Sequence, residues 1–557
     1  MRKRLLLFIL ILCGMTSAAL RASVPLEQIL QKEAKRNLEK LAKEEVPAYY
    51  ISYRIYEETA WNAGCSFGEL ENQYRNKERL LHIVVRVGNP TLDNTHEIKN
   101  NDWEFSNIRP VSVPLQNDEA TTALLIWDET DKAYKSALQR YQKVKANVAV
   151  VVEAEDKSPD FSTEKREVYS TEPISDQSFD QEGETLLKRI KQYSAIFREN
   201  KEINSGGAFL RINLTRSYFA DTEGAMISQN SLQYRLGLNA STLAEDGMDL
   251  PLYKNYFAHS FKELPSDKEV EQDARAISKM LSDLRRAPVA DTYAGPALLS
   301  PEASGVFFHE FFGHRLEGAR MKQEADAQTF KKKRGEAVLS KDMSVFFDPT
   351  ITYYKNIPLS GSYVFDDEGT RGERVNVIEG GMLKTFLMSR TPIEGLLQSN
   401  GHGRGMIYYT PVTRQSNMII ESSEPRTENE LRQTLREELK RQNKPYGYLF
   451  DKVSGGFTNT GRISPNSFNV TPLVVYRIYA DGRPDELVRG VNMIGTPLSM
   501  FSQIGACGDK LEVFNGYCGA ESGSIPVSCV APSIFVKMVE TQRKDKSHVQ
   551  PPILERP

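Results

Sequence analysis

His309-Glu310-Phe311-Phe312-Gly313-His314 holds the residues of this 557-residue chain best suited to chemistry. Imidazoles are ligands for a divalent transition metal, and a carboxylate beside such an ion can take a proton from the water it activates. The familiar zinc-hydrolase pattern spaces its histidines by four, about 40° apart around a helix. Here the spacing is five, which on a regular helix leaves them about 140° apart and unable to share an ion. The pair becomes usable if the turn is widened, as in a π-bulge, and Gly313 lies where that distortion costs least. The competing reading is two unrelated core histidines on an aromatic helix. A catalytic zinc site also needs a third protein ligand. Glu317, three residues after His314 and on its face, and the C-terminal thiols are the candidates.

The element that must carry these groups is a helix expected over 301–317. Ser300-Pro301-Glu302 supplies an N-cap, a proline at the first helical position and an acid at the positive pole. From Val306 to Gly318 the segment is apolar nearly all round, so it should be buried. Burying two histidines and two acids there costs several kcal/mol unless they are paired or hold a cation. A Zn²⁺-type ion satisfies them.

Besides Cys13, the thiols are Cys65, Cys507, Cys518 and Cys529, too few for a disulfide scaffold. Cys507 and Cys529 could pair with each other or with Cys65, or stay as buried thiols. No Cys-x-x-Cys pair exists, which weakens any thiol redox reading.

Length predicts two domains, and 40% hydrophobic with 26% charged residues excludes a disordered or fibrous chain. Arg2, Lys3 and Arg4, the apolar run Leu5–Leu12 and the small residues from Thr16 to Ala19 read as an export signal over 1–22. The expected location is therefore periplasmic or secreted, cleaved or anchored through the N-terminus. Loss of Arg2, Lys3, Arg4 and Arg21 would take the formal charge from −3 to −7, which leaves no electrostatic case for nucleic acid. Lys331-Lys332-Lys333-Arg334 reads as solvated surface.

The class is α+β: a mixed α/β N-terminal domain over 23–290, a β-rich C-terminal domain over 291–545 and a tail over 546–557. Helices are expected at Leu26–Glu45, Thr185–Glu199, Val270–Arg286 and 427–442, the last opened by the capping box Thr427-Glu428-Asn429-Glu430. Strands are expected at Tyr49–Ile55, Leu81–Val87, Val148–Val152, Ala208–Leu214, Val375–Ile378, Met382–Met388, Leu473–Tyr479 and Ile534–Val539. A long excursion should fill Asp156–Glu184.

The histidine motif with its trailing Leu316-Glu317-Gly318 resembles the TldD/PmbA family of metallopeptidases. So do Phe365-Asp366-Asp367-Glu368-Gly369-Thr370, Gly381–Leu387, Asn400-Gly401-His402-Gly403-Arg404, Arg414-Gln415-Ser416-Asn417, Gly516-Tyr517-Cys518-Gly519 and Ser524-Ile525-Pro526-Val527. The likeness runs over roughly 290–540 in the same order; the first half resembles the family only loosely, around Tyr218–Gly224. It implies His309, His314 and Cys518 as metal ligands, with Glu310 as general base. PmbA-type members lack the histidine motif, so the TldD type is implied. Cys507 and Cys529 are departures from the pattern, as is the divergent N-terminal half. The family further implies a peptide substrate, unfolded or short, and a homodimer or a heterodimer with a PmbA-like paralogue.

His402 and Arg404, in a glycine-rich loop, are candidate substrate or transition-state contacts, with loop structure as the plainer role. The acids of 366–368 read first as a turn between strands. Against the peptidase stands a second function, a binding or scaffold subunit that keeps the metal for stability. Retention of Glu310 argues against it, since a structural site needs ligands but no base.

Overall fold

The structure, a computed structural model, describes residues 24–99, 110–150, 156–462, 468–495, 503–544 and 554. The expected export signal lies outside these residues, as does the expected tail apart from Leu554. Among the described residues no helix is long and apolar enough to cross a membrane.

Helix α1 (Leu26–Leu41) buries Leu26, Ile29, Leu30 and Ala34 against the first sheet. That sheet is built on long antiparallel strands: β1 (Ala48–Ser66), β2 (Glu69–Asn89), β3 (Ser205–Asp221), β4 (Met226–Leu243) and β5 (Asp249–Ala258), in the order β2-β1-β3-β4-β5. Phe67 and Gly68, both at positive φ, make the two-residue hairpin between β1 and β2. Helices α2 (Glu119–Val150), α3 (Phe179–Ala195) and α4 (Asp267–Arg286) complete this half. Helix α2 overturns the strand expected at Val148–Val152, since 148–150 are its last turn; residues 151–155 lie outside the described set. Local β-propensity there loses to a helix already propagating from the buried face of Ile126, Tyr134, Ala137 and Val144.

The second half begins with β6 (Tyr293–Leu299) and α5 (Pro301–Phe311). It continues through β7 (Met343–Phe347), β8 (Val375–Glu379), β9 (Asn417–Ser422) and α6 (Glu428–Arg441). Strands β10 (Tyr446–Thr458), β11 (Phe468–Tyr479), β12 (Val491–Gly495), β13 (Ile504–Ala520) and β14 (Gly523–Arg543) follow. The hydrogen-bonded path runs β8-β7-β9-β14-β12-β11-β10-β6, and β6 pairs back onto β14. Five strands thus close a ring, and α5 packs against β14, β10, β13 and β11. The fold is mixed α/β, rich in strand, in two domains. Of the strand expected over Met382–Met388 only Met382–Leu383 forms, after a turn through Gly380 and Gly381, both at positive φ. Farther along, the Leu387 N–H donates to Leu316 O (3.0 Å) and the Gly318 N–H to Leu387 O (2.8 Å), which fixes the chain just beyond His314.

Candidate metal centre

Helix α5 starts as its sequence dictates. The Ser300 hydroxyl accepts from the Ala303 N–H at 3.2 Å, and Pro301 fills the first helical position. Phe307, Phe308, Phe311 and Phe312 are fully buried in the C-terminal core. The helix does not run to 317 and contains no π-bulge. It ends at Phe311; Phe312, at φ −117°, turns the chain, and Gly313–Leu316 form a 3-10 turn. The Arg315 guanidinium donates to the carbonyls of Glu310 and Phe311, each at 2.9 Å, and so satisfies two helix-end acceptors. Gly313 is closely approached: a Cβ there would lie 2.0 Å from Gln415 Oε1, so that side chain would have to shift.

This break brings the two histidines together. Their ring centroids are 5.0 Å apart at 79°, and Cys518, near the end of β13, lies opposite with Sγ 3.3 Å from His314 Nε2. One donor atom each from His309, His314 and Cys518 falls within 4.8 Å of the other two. Nitrogen and sulfur ligands of tetrahedral zinc are roughly 3.3–3.6 Å apart, from bond lengths of about 2.05 and 2.3 Å. Two imidazoles and a thiol at these separations fit a zinc-type ion. Burial alone raises the Cys518 pKa, but His314 and His309 override it and hold the thiol well below its usual range. Burial lowers the imidazoles, whereas Cys518 pulls both above the ordinary histidine value, assisted by Glu317 at His314.

Glu317, a ligand candidate by spacing, takes a different place. Its Oε2 lies 3.1 Å from His314 Nδ1, on the ring nitrogen away from Cys518. A carboxylate accepting from Nδ1–H leaves the Nε2 lone pair free for a cation. Burial pushes the Glu317 carboxyl up, yet His314, Arg320 and Arg414 bring it down to about 2. Arg320 donates to Glu317 (2.8 Å) and Glu521 (2.9 Å). Arg414 donates to Cys518 O (2.6 Å) and Gly523 O (3.0 Å), and so clamps the hairpin turn that presents Cys518. Arg320 stands three residues after Glu317, a pairing that local spacing signals, whereas Arg414 reaches the site from a segment remote in the chain.

His402 and Arg404 are spent on internal bonds. His402 is fully buried, with Nδ1 3.1 Å from Asn400 O and Nε2 3.0 Å from Ser416 Oγ. Arg404 donates to Gln415 O (2.5 Å) and Pro526 O (2.9 Å). The acidic turn behaves likewise: Asp366 accepts from the N–H groups of Glu368, Thr370 and Gly403, and Asp367 pairs with Arg54 of β1 at 3.1 Å. Cys65, Cys507, Cys518 and Cys529 are all free and buried, and burial pushes the Cys507 thiol up to about 12.

Beside the triad opens a cavity of about 550 Å³, lined on one side by His309, Glu310, Gly456 and Tyr517 and on the other by Arg235 and Tyr253 of the first sheet. His402 and Arg404 do not line it. Gly456 touches Glu310 so closely that a Cβ would meet its Cγ at 2.3 Å.

Residues 292–543 match the family model of the PmbA/TldA metallopeptidase C-terminal domain. Residues 292–543 thus form a domain similar to the C-terminal domain of PmbA/TldD-type metallopeptidases. A metalloprotease of Methanothermobacter thermautotrophicus is 27% identical over 323 residues, 58% of this chain and 66% of the relative. A zinc metalloprotease TldD homolog of Saccharolobus solfataricus is 25% identical over 282 residues, 48% of this chain and 57% of the relative. Thus the chain spans less than two thirds of the length of these relatives. The fold is similar to that of TldE from Thermococcus kodakarensis, with a TM-score of 0.59 over 92% of this chain and 99% of that one, at 15% identity.

Proposed function

We propose that the chain is a metal-dependent peptidase acting on unfolded or short peptides, with His309, His314 and Cys518 holding a zinc ion and Glu310 as general base. One observation carries this reading: two imidazoles and a thiol converge where Glu310 faces a cavity. When bound, such an ion supplies Lewis acidity, acidifying water and polarising a carbonyl. The protein's own groups do the rest. Glu317 fixes the tautomer and plane of His314. Glu310, held against Gly456, takes the proton from the attacking water and passes it to the leaving amine. The name of the Saccharolobus solfataricus relative supports zinc, as does the nitrogen and sulfur donor set.

A cavity of about 550 Å³ between two sheets suits a short extended chain and not a folded protein. The β10 irregularity between Val453 and Gly456 places strand backbone at its wall, where a substrate strand could add. The TldE-like fold supports a paralogue of the same architecture as partner, with a homodimer as the other assembly. Export through residues 1–22 belongs to the same proposal, and N-terminal sequencing of the mature protein tests it. For the chemistry the test is Glu310→Gln. Peptide cleavage should fall by roughly 10²–10⁴-fold with metal content unchanged. Cleavage at the wild-type rate would leave the alternative, a silent scaffold subunit with a structural ion.

A further inference from the structure

Arg235 is a cavity-lining side chain that the peptidase chemistry leaves unused. It sits on β4, cross-strand from Arg211 of β3 and Phe257 of β5. Its guanidinium lies over two rings, 4.9 Å from the Phe257 centroid and 4.2 Å from that of Tyr517. Tyr517 directly precedes Cys518, so this cation from the first sheet stands next to the strand that presents the thiol. Among the described residues no carboxylate pairs with it; its polar neighbours are Tyr517 and Arg211. Its Nε and Nη2 are shielded from solvent and have no hydrogen-bond partner. These two nitrogens form one edge of the guanidinium, the edge that grips a carboxylate with two parallel bonds. Ring stacking compensates part of the cost of burying the charge, but it leaves those two donors unmet.

The surroundings have the matching sign. Glu310 is the one acid among the cavity's lining residues, against Arg211 and Arg235. Arg211 is held by Asn62, whose Oδ1 accepts from its Nε at 3.0 Å. An anion brought into this space meets the unpaired edge of Arg235 once the Tyr517 ring stacked on the guanidinium gives way.

We propose that Arg235 binds a carboxylate of the peptide substrate, so that the site selects peptides carrying an acidic group beside the bond presented to Glu310. This deepens the peptidase reading and rests on it. Two sources share the chemistry, the C-terminal carboxylate of the peptide and a Glu or Asp side chain.

The test is peptide binding to the metal-free full-length protein, so that neither turnover nor the ion contributes. An alanine hexapeptide carrying one Glu or one Gln is titrated in four forms, each as the free acid and as the C-terminal amide. Removing one of the two carboxylates should weaken binding about tenfold or more; which removal does so names the source. Arg235→Met, which keeps the ring packing, should bind all four forms alike, and Arg235→Lys should recover part of the preference. Arg235→Gln serves if the methionine variant misfolds. Equal binding of the four forms by wild type, binding of none, or an acid preference that survives Arg235→Met overturns the proposal. The two claims fail separately. Cleavage without carboxylate preference sinks this one alone, whereas carboxylate binding through Arg235 with no cleavage by the metal-loaded protein sinks the peptidase reading alone.

Discussion

Gly456→Ala is the sharpest perturbation of Glu310 that leaves its chemistry in place. Gly456 is a β10 residue without a positive φ, so its backbone accepts alanine. The added Cβ would lie 2.3 Å from Glu310 Cγ and 3.1 Å from both Glu310 Cδ and the Asn469 carbonyl oxygen, against ordinary contact from 3.4 Å, so the Glu310 side chain bears most of the clash. The carboxylate side chain must therefore retreat by about 1 Å. Misplacement of a catalytic group by that distance costs on the order of 10²-fold in rate. Because Glu310 is only partly buried and can rotate away, stability should change by less than about 1 kcal/mol. The assay combines peptide hydrolysis, metal content and denaturant unfolding on one preparation. A roughly hundredfold loss in kcat, with metal and stability intact, is expected. Wild-type kcat in Gly456→Ala would refute the placement of Glu310 as the proton carrier.

Other perturbations separate the supporting roles. Glu317→Gln leaves Arg320 and Arg414 buried without their shared carboxylate, and urea unfolding of the metal-free protein should show a loss of about 3–5 kcal/mol. A loss below about 1 kcal/mol would mean that Glu317 does not balance those arginines. Burial, with Arg404 nearby, lowers His402 to about 3, so below pH 6.5 the unfolded chain binds a proton there that the folded one refuses. The stabilisation is complete above pH 6.5 and declines as pH falls towards 3, by roughly 2 kcal/mol between pH 6.5 and 5. His402→Gln should remove that part of the acid slope in unfolding measured at the two pH values; an unchanged slope counts against a buried neutral His402.

What the sequence made legible was local. Ser300-Pro301 and the Thr427–Glu430 box mark helix starts that the structure repeats, because a cap is satisfied within four residues. The histidine spacing showed that a regular helix fails, yet not how the chain departs from one. Arg315 capping and the close approach of Gln415 to Gly313 decide that, and neither is a periodic signal. Cys518 is 204 residues from His314, beyond any spacing argument; family likeness pointed to it, and strand pairing brings it there. The wall formed by Arg235 and Tyr253 was invisible, since it arises only when the first sheet docks over the metal centre. At the end of helix α2 the valines favour a strand locally, while the upstream apolar face sustains the helix.

In the proposed centre His309, His314 and Cys518 hold one ion together. Metal analysis of the purified protein beside Cys518→Ala tests it most directly. About one zinc per chain is expected in the wild type, with loss of most of it in the variant while the fold persists. Equal metal in both proteins, or none in either after zinc loading, would contradict it.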